Sequence, residues 1–110
     1  MSKLMKKLNL VFIQDKVKTF QEISSEIRIT QEQLEDMLSL IDSNTLDFNK
    51  GKISKEVFQE NDNKLRKESK ELIKKINSLV DAGIEIMESI IKQAKDQIIR
   101  LPTQEKKVKS

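Results

Sequence analysis

Apolar residues recur at intervals of three and four along almost the whole chain, and the places where that rhythm changes mark its helices. Leu4, Met5, Leu8, Val11 and Phe12 fall at helical spacing, and Leu10, Ile13, Val17 and Phe20 make a second stripe among Lys3, Lys6, Lys7, Lys16 and Lys18. A basic amphipathic helix follows from that pattern. The run Leu10 to Ile13 is apolar on all sides and has the length of a strand, but a lone strand in a helical chain would leave its backbone groups unpaired. Farther on, Phe20, Ile27, Leu34, Ile41 and Phe48 form one seven-residue series, with Ile23, Thr30, Met37 and Asn44 interleaved. That is a coiled-coil-like seam, in which a polar Thr30 or Asn44 fixes register rather than adding stability. Thr30 with Gln33, and Ile29 with Leu34, also spell a capping box and a staple, so a new helix starting at 30 competes with one that runs through.

Between Leu46 and Phe58 the rhythm breaks. Gly51 can adopt the left-handed conformation that closes a helix, and Ser54 can accept from the first free amides of the next one. Glu56 then occupies that helix's first turn, where negative charge is favoured, and Ile53 and Phe58 take the two staple positions. The segment is a helical corner. After it, Phe58, Leu65, Leu72 and Leu79 recur every seven residues, a seam thin enough for one partner helix. Acid-before-base pairs four apart (Glu60 with Lys64, Asp62 with Arg66, Glu71 with Lys75, Glu88 with Lys92, Asp96 with Arg100) support its exposed side by about 0.2–0.5 kcal/mol each. From Leu72 the apolar face widens through Ile73, Ile76, Leu79, Val80, Ile84, Met87, Ile91, Ala94 and Ile98 to Leu101. We read Ser54 to Leu101 as one helix, about 70 Å long at a rise of about 1.5 Å per residue. Asp81-Ala82-Gly83 is its one candidate interruption, because mid-helix glycine costs about 1 kcal/mol relative to alanine. Pro102 stops it.

Leu46, Gly51, Ile53, Ser54, Glu56, Phe58 and Leu65 together resemble the pattern of the short helical hairpin modules called SHOCT domains: a leucine before a glycine, then Ile-Ser/Thr, an acid, an aromatic and a leucine. The resemblance covers about a fifth of the chain. It implies oligomerisation or another protein interaction, and no chemistry.

Composition narrows the picture. Charged residues make up 35% of the 110 residues, hydrophobic ones 36% and aromatic ones 4%, and there are two glycines and one proline. Few turns and few aromatics favour long exposed helices over a thick core. The chain has no Cys, His, Trp or Tyr, which excludes disulfides, thiolate chemistry and zinc sites built on sulfur or imidazole. Charge is uneven along it: residues 1–20 carry five Lys against one Asp, 21–50 two bases against seven acids, 51–80 eight bases against five acids, and 81–110 six bases against five acids. An acidic second quarter between basic neighbours favours antiparallel helix contact or head-to-tail self-association. The apolar run Leu8 to Ile13 is too short for a transmembrane helix, and no small-residue cleavage site follows it, so a cytoplasmic protein is expected.

No catalytic or metal-binding residue is assigned and no cofactor is expected. The acids sit among lysines on charged helix faces rather than as a pair in a dry cleft, a di-metal carboxylate site would want histidine, and the glycines are too far apart to cradle a nucleotide. Lys64, Arg66, Lys67, Lys70 and Lys74 are the candidate nucleic-acid contacts, since Lys67, Lys70 and Lys74 share a face that could follow phosphates. Glu68 and Glu71 interrupt that face and no aromatic stands ready to stack a base, which leaves only nonspecific, salt-sensitive binding. A membrane surface is a further alternative partner, through Leu4, Leu8, Val11 and Phe12. The competing reading of that segment is core, since it is apolar all round at its middle.

The expected architecture is all-α: an elongated helical hairpin or coiled-coil-like bundle of two to four helices. One domain would span 1–101, with helices near 3–28, 30–50 and 54–101, followed by a disordered basic tail at 102–110. The expected function is non-enzymatic association, with itself as a homo-oligomer or with another helical protein. Its seam would run through Phe20, Ile27, Leu34, Ile41 and Phe48 on one side and Leu65, Leu72 and Leu79 on the other.

Overall fold

The computed structural model describes residues 10–100, with side chains over 13–99, and the fold is two long α-helices joined by a tight link. The first, α1, is Leu10–Asn49, 40 residues, and the second, α2, is Lys55–Arg100, 46 residues. Among the described residues there is no strand. α1 runs longer without interruption than the sequence pattern predicts: it passes straight through Ile29 and Thr30, where two helices are expected to meet. The Thr30 hydroxyl caps no new helix; it donates back to the Glu26 carbonyl at 2.7 Å, one turn earlier on the same helix. A capping residue needs its own φ/ψ outside the helix, and the seven-residue apolar rhythm on both sides of Thr30 favours the helical conformation instead. α2 continues through Asp81-Ala82-Gly83 without a break. The expected tail at 102–110 and the residues before Leu10 lie outside the described residues.

The chain divides into two compact units, residues 23–82, and residues 1–22 with 83–110. The first is a helical hairpin. Its link is closed at both ends by hydrogen bonds: Gly51, at φ 73°, donates its N–H to the Phe48 carbonyl at 3.0 Å, and Lys52 donates to the Asp47 carbonyl at 2.8 Å. This is the paired reverse bonding of a Schellman motif, which satisfies carbonyls that a helix end leaves free. Ser54 then caps α2, its Oγ accepting from the Val57 N–H at 3.2 Å, while the Ser54 carbonyl accepts from the Phe58 N–H at 2.9 Å. Glu56 is the acidic residue of the first turn.

Within this unit the sheltered positions of both helices follow intervals of three and four. On α1 they are Ile23, Ile27, Thr30, Leu34, Met37, Ile41, Asn44 and Phe48; on α2 they are Phe58, Asp62, Leu65, Ser69, Leu72, Ile76 and Leu79. Phe48 and Phe58 stack across the corner with ring centroids 4.6 Å apart and planes inclined by 18°. Lys75 reaches Glu26 on the facing helix at 3.7 Å, which sets the two helices side by side and antiparallel.

In the second unit the same spacing continues. Ile13, Lys16 and Phe20 on α1 are half-buried, Gly83 and Gln97 on α2 are buried, and Ile86, Ile90 and Gln93 are half-buried between them. Lys16 donates from Nζ to the Ser89 hydroxyl, tying the two helices together. Here the face expected from the sequence needs correction. Ile84, Met87, Ala94, Ile91 and Ile98, expected to widen the sheltered face of α2, are exposed, and Ile86 and Ile90 take the sheltered places.

Candidate interaction site

Three sets of residues are candidates for function, and the structure places each differently. The corner residues are brought together. Gly51, Ser54 and Glu56 are exposed and Ile53 and Phe58 are half-buried beside the capped helix ends. A Cβ added at Gly51 would meet nothing within 4 Å. The glycine is therefore there for its backbone angle and not to admit a neighbour.

The seam residues lie on the sheltered sides of the helices in their own units but are thinly covered. Phe20, Ile27, Leu34, Phe48, Leu65, Leu72 and Leu79 are half-buried, and among the described residues Ile41, at 9% exposure, is the one large apolar side chain that is buried. The most protected side chains are polar. Thr30 is at 0% exposure and Ser69 at 8%, and each satisfies its hydroxyl on its own helix, Ser69 by donating to the Leu65 carbonyl at 2.9 Å. Asn44, at 6%, reaches across: its Nδ2 donates to the Phe58 carbonyl at 3.1 Å, and its Oδ1 accepts from Asn61 Nδ2 at 3.2 Å. Asp62 places one carboxylate oxygen on Arg66 at 2.8 Å and buries the other without a partner among the described residues, and Gln97 has neither amide atom partnered there.

Lys64, Arg66, Lys67, Lys70 and Lys74 are all exposed, but acids are interleaved with them. Arg66 is engaged by Asp62, and Lys74 lies 3.6 Å from Glu71. Lys75, expected to pair with Glu71 four residues earlier, pairs instead with Glu26. Lys64 and Lys67 line an open depression of about 660 Å³ together with Glu68 and Glu71, so its walls carry both signs of charge. A polyanion reaching Arg66, Lys74 or the depression lined by Lys64 and Lys67 would also meet the carboxylates of Asp62, Glu68 or Glu71. Leu4, Leu8, Val11 and Phe12, the candidate membrane contacts, lie outside the described side chains. No described helix is long and apolar enough to cross a membrane, and among the described residues no group of three or more acids could hold a metal ion.

No family model, curated protein or solved structure matches this chain.

What spacing alone does not separate is a second stripe on α2. Ile73 and Val80 in the hairpin unit, and Ile84, Met87, Ile91 and Ile98 in the second unit, are all exposed, and they recur at intervals of seven, four and three. Each lies one residue after a sheltered position: Ile73 follows Leu72, Val80 follows Leu79, Ile84 follows Gly83, Met87 follows Ile86, Ile91 follows Ile90 and Ile98 follows Gln97. In each unit α2 carries an exposed apolar row one residue past its sheltered row. The signal is present in the sequence as an apolar face too wide for a single partner helix.

Proposed function

We propose that this chain is a non-enzymatic association module that works by laying the uncovered apolar side of its helices against another helix, from a second copy or from a different protein. The observation that carries this reading is the imbalance of burial. Thirteen large apolar side chains are exposed among the described residues, against the single buried Ile41. Scattered exposed apolar residues are ordinary on any protein, but six of these lie on α2 one position past a sheltered residue, at the spacing that a partner helix requires. The corner's resemblance to SHOCT-type hairpins points the same way, toward oligomerisation or interaction.

Photo-crosslinking tests the reading directly. A photoreactive residue placed at Ile73 should give covalent adducts with a protein partner in cells, whether that partner is the same chain or another. The same residue at Lys67, on the charged outer side, should give few. Equal yields from the two positions, or none from either, would set this function aside.

A further inference from the structure

We infer that the stripe Ile84, Met87, Ile91 and Ile98 binds the same stripe of a second copy of this chain, with the two α2 helices antiparallel. This rests on the association reading above and goes beyond it by naming the surface, the occupant and the direction. All four side chains are exposed, from 38% at Met87 to 67% at Ile98. They are spaced by three, four and seven residues, with Ala94, also exposed, filling the intermediate step. A helix meeting them would find the alternation of three and four that lets side chains interdigitate. All lie in the unit that contains residues 83–110, on a helix already fixed by its contact with α1, so the surface is in place before any partner arrives.

The occupant is chosen by charge. Along the exposed flank of this stripe the sign reverses: Glu85 and Glu88 come first, then Lys92 and Lys95, all exposed. Glu88 and Lys95 are seven residues apart and hence on one line beside the apolar residues, and Glu85 and Lys92 repeat the reversal farther from the stripe. An antiparallel copy crossing at Ile91 sets Ile91 against Ile91 of the second chain, Ile84 against its Ile98 and Glu88 toward its Lys95, and symmetry makes the last two contacts twice. In a parallel copy, related by a two-fold axis along the helices, the charged flanks of the two chains lie on opposite sides of the apolar row, and Glu88 and Lys95 do not meet. The segment is self-complementary in one direction only.

Sedimentation equilibrium on the full chain tests this. The chain should dimerise, and Ile91→Lys should raise the dissociation constant by about tenfold or more, as expected for a charge placed at the centre of an apolar contact, without changing helical content by circular dichroism. Glu88→Lys or Lys95→Glu alone should weaken the dimer, and the double exchange Glu88→Lys with Lys95→Glu should restore it. A chain that stays monomeric at millimolar concentration overturns the inference, as does a dimer indifferent to Ile91→Lys. In either case photo-crosslinks from Ile73 to another protein would leave the association function standing. A dimer that Ile91→Lys breaks but the charge changes do not affect would overturn the antiparallel arrangement.

Discussion

Asn61 donates its side-chain amide to Asn44 across the hairpin at 3.2 Å, and Asn44 passes its own amide on to the Phe58 carbonyl at 3.1 Å. The chain of bonds joins the two helices within the first turns beyond the corner. Asn44 sits on the seam where an apolar residue would add more stability, and its two bonds can be made in one register only. Asn44→Ala removes an acceptor from Asn61 and a donor from the Phe58 carbonyl while leaving both in place. We expect a loss of about 1–3 kcal/mol in urea unfolding. A change near zero would show that water replaces Asn44 without penalty.

Thr30 should behave in the opposite way. Its hydroxyl is fully buried and bonded to a carbonyl of its own helix, so it adds nothing to pairing between helices. Thr30→Val keeps the shape and removes a polar atom from the seam, and should leave stability unchanged or raise it by up to about 1 kcal/mol in the same assay. A clear loss would mean the hydroxyl has a role in the pairing.

The contrast between these residues shows how far the sequence can be followed. Both are legible as polar members of a seven-residue rhythm, and the corner is legible residue by residue, because Gly51 and Ser54 act through local backbone geometry that neighbours in sequence determine. Thr30 also carries the letters of a capping box, and local signals do not decide between cap and seam; packing against α2 does. Spacing misplaces Ile84 and Ile91 for a related reason. Two stripes offset by one residue have the same period, so spacing cannot say which faces α1, and only the paired helix resolves that Ile86 and Ile90 are sheltered. The exchange of Lys75 from Glu71 to Glu26 is out of reach for any argument confined to one helix.

Gly51 is the position at which a small change acts through the backbone alone. With φ at 73° and open space where a methyl group would sit, Gly51→Ala meets no steric neighbour beyond its own chain. It should still cost about 1–2 kcal/mol in urea unfolding, the penalty of a left-handed conformation for a residue with a Cβ. Gly51→Asn should cost less, since asparagine tolerates this conformation. Equal losses from the two variants would point to something other than backbone angle.

Ser54→Ala should lower stability by about 1 kcal/mol by freeing the Val57 amide, and Ser54→Asp should keep most of it. Thermal unfolding followed by circular dichroism would show both. If alanine matches serine, the amide is served by solvent.

Lys75 and Glu26 are both about half exposed, so their attraction is modest and screened. A double-mutant cycle with Lys75→Ala and Glu26→Ala should give a coupling of about 0.2–1 kcal/mol that fades toward zero as salt is raised. A coupling that survives molar salt would contradict this account.

The closed link at Lys50 to Ser54 also has a kinetic consequence. Contacts beside it join residues close in sequence, such as Asn44 and Asn61 at a separation of 17, whereas Lys16 and Ser89 are separated by 73. The entropy lost in closing a loop grows with its length, and bringing the nearest residues together first shortens every later closure. Folding should therefore start at the bend and advance like a zip, at the high speed of proteins dominated by local contacts.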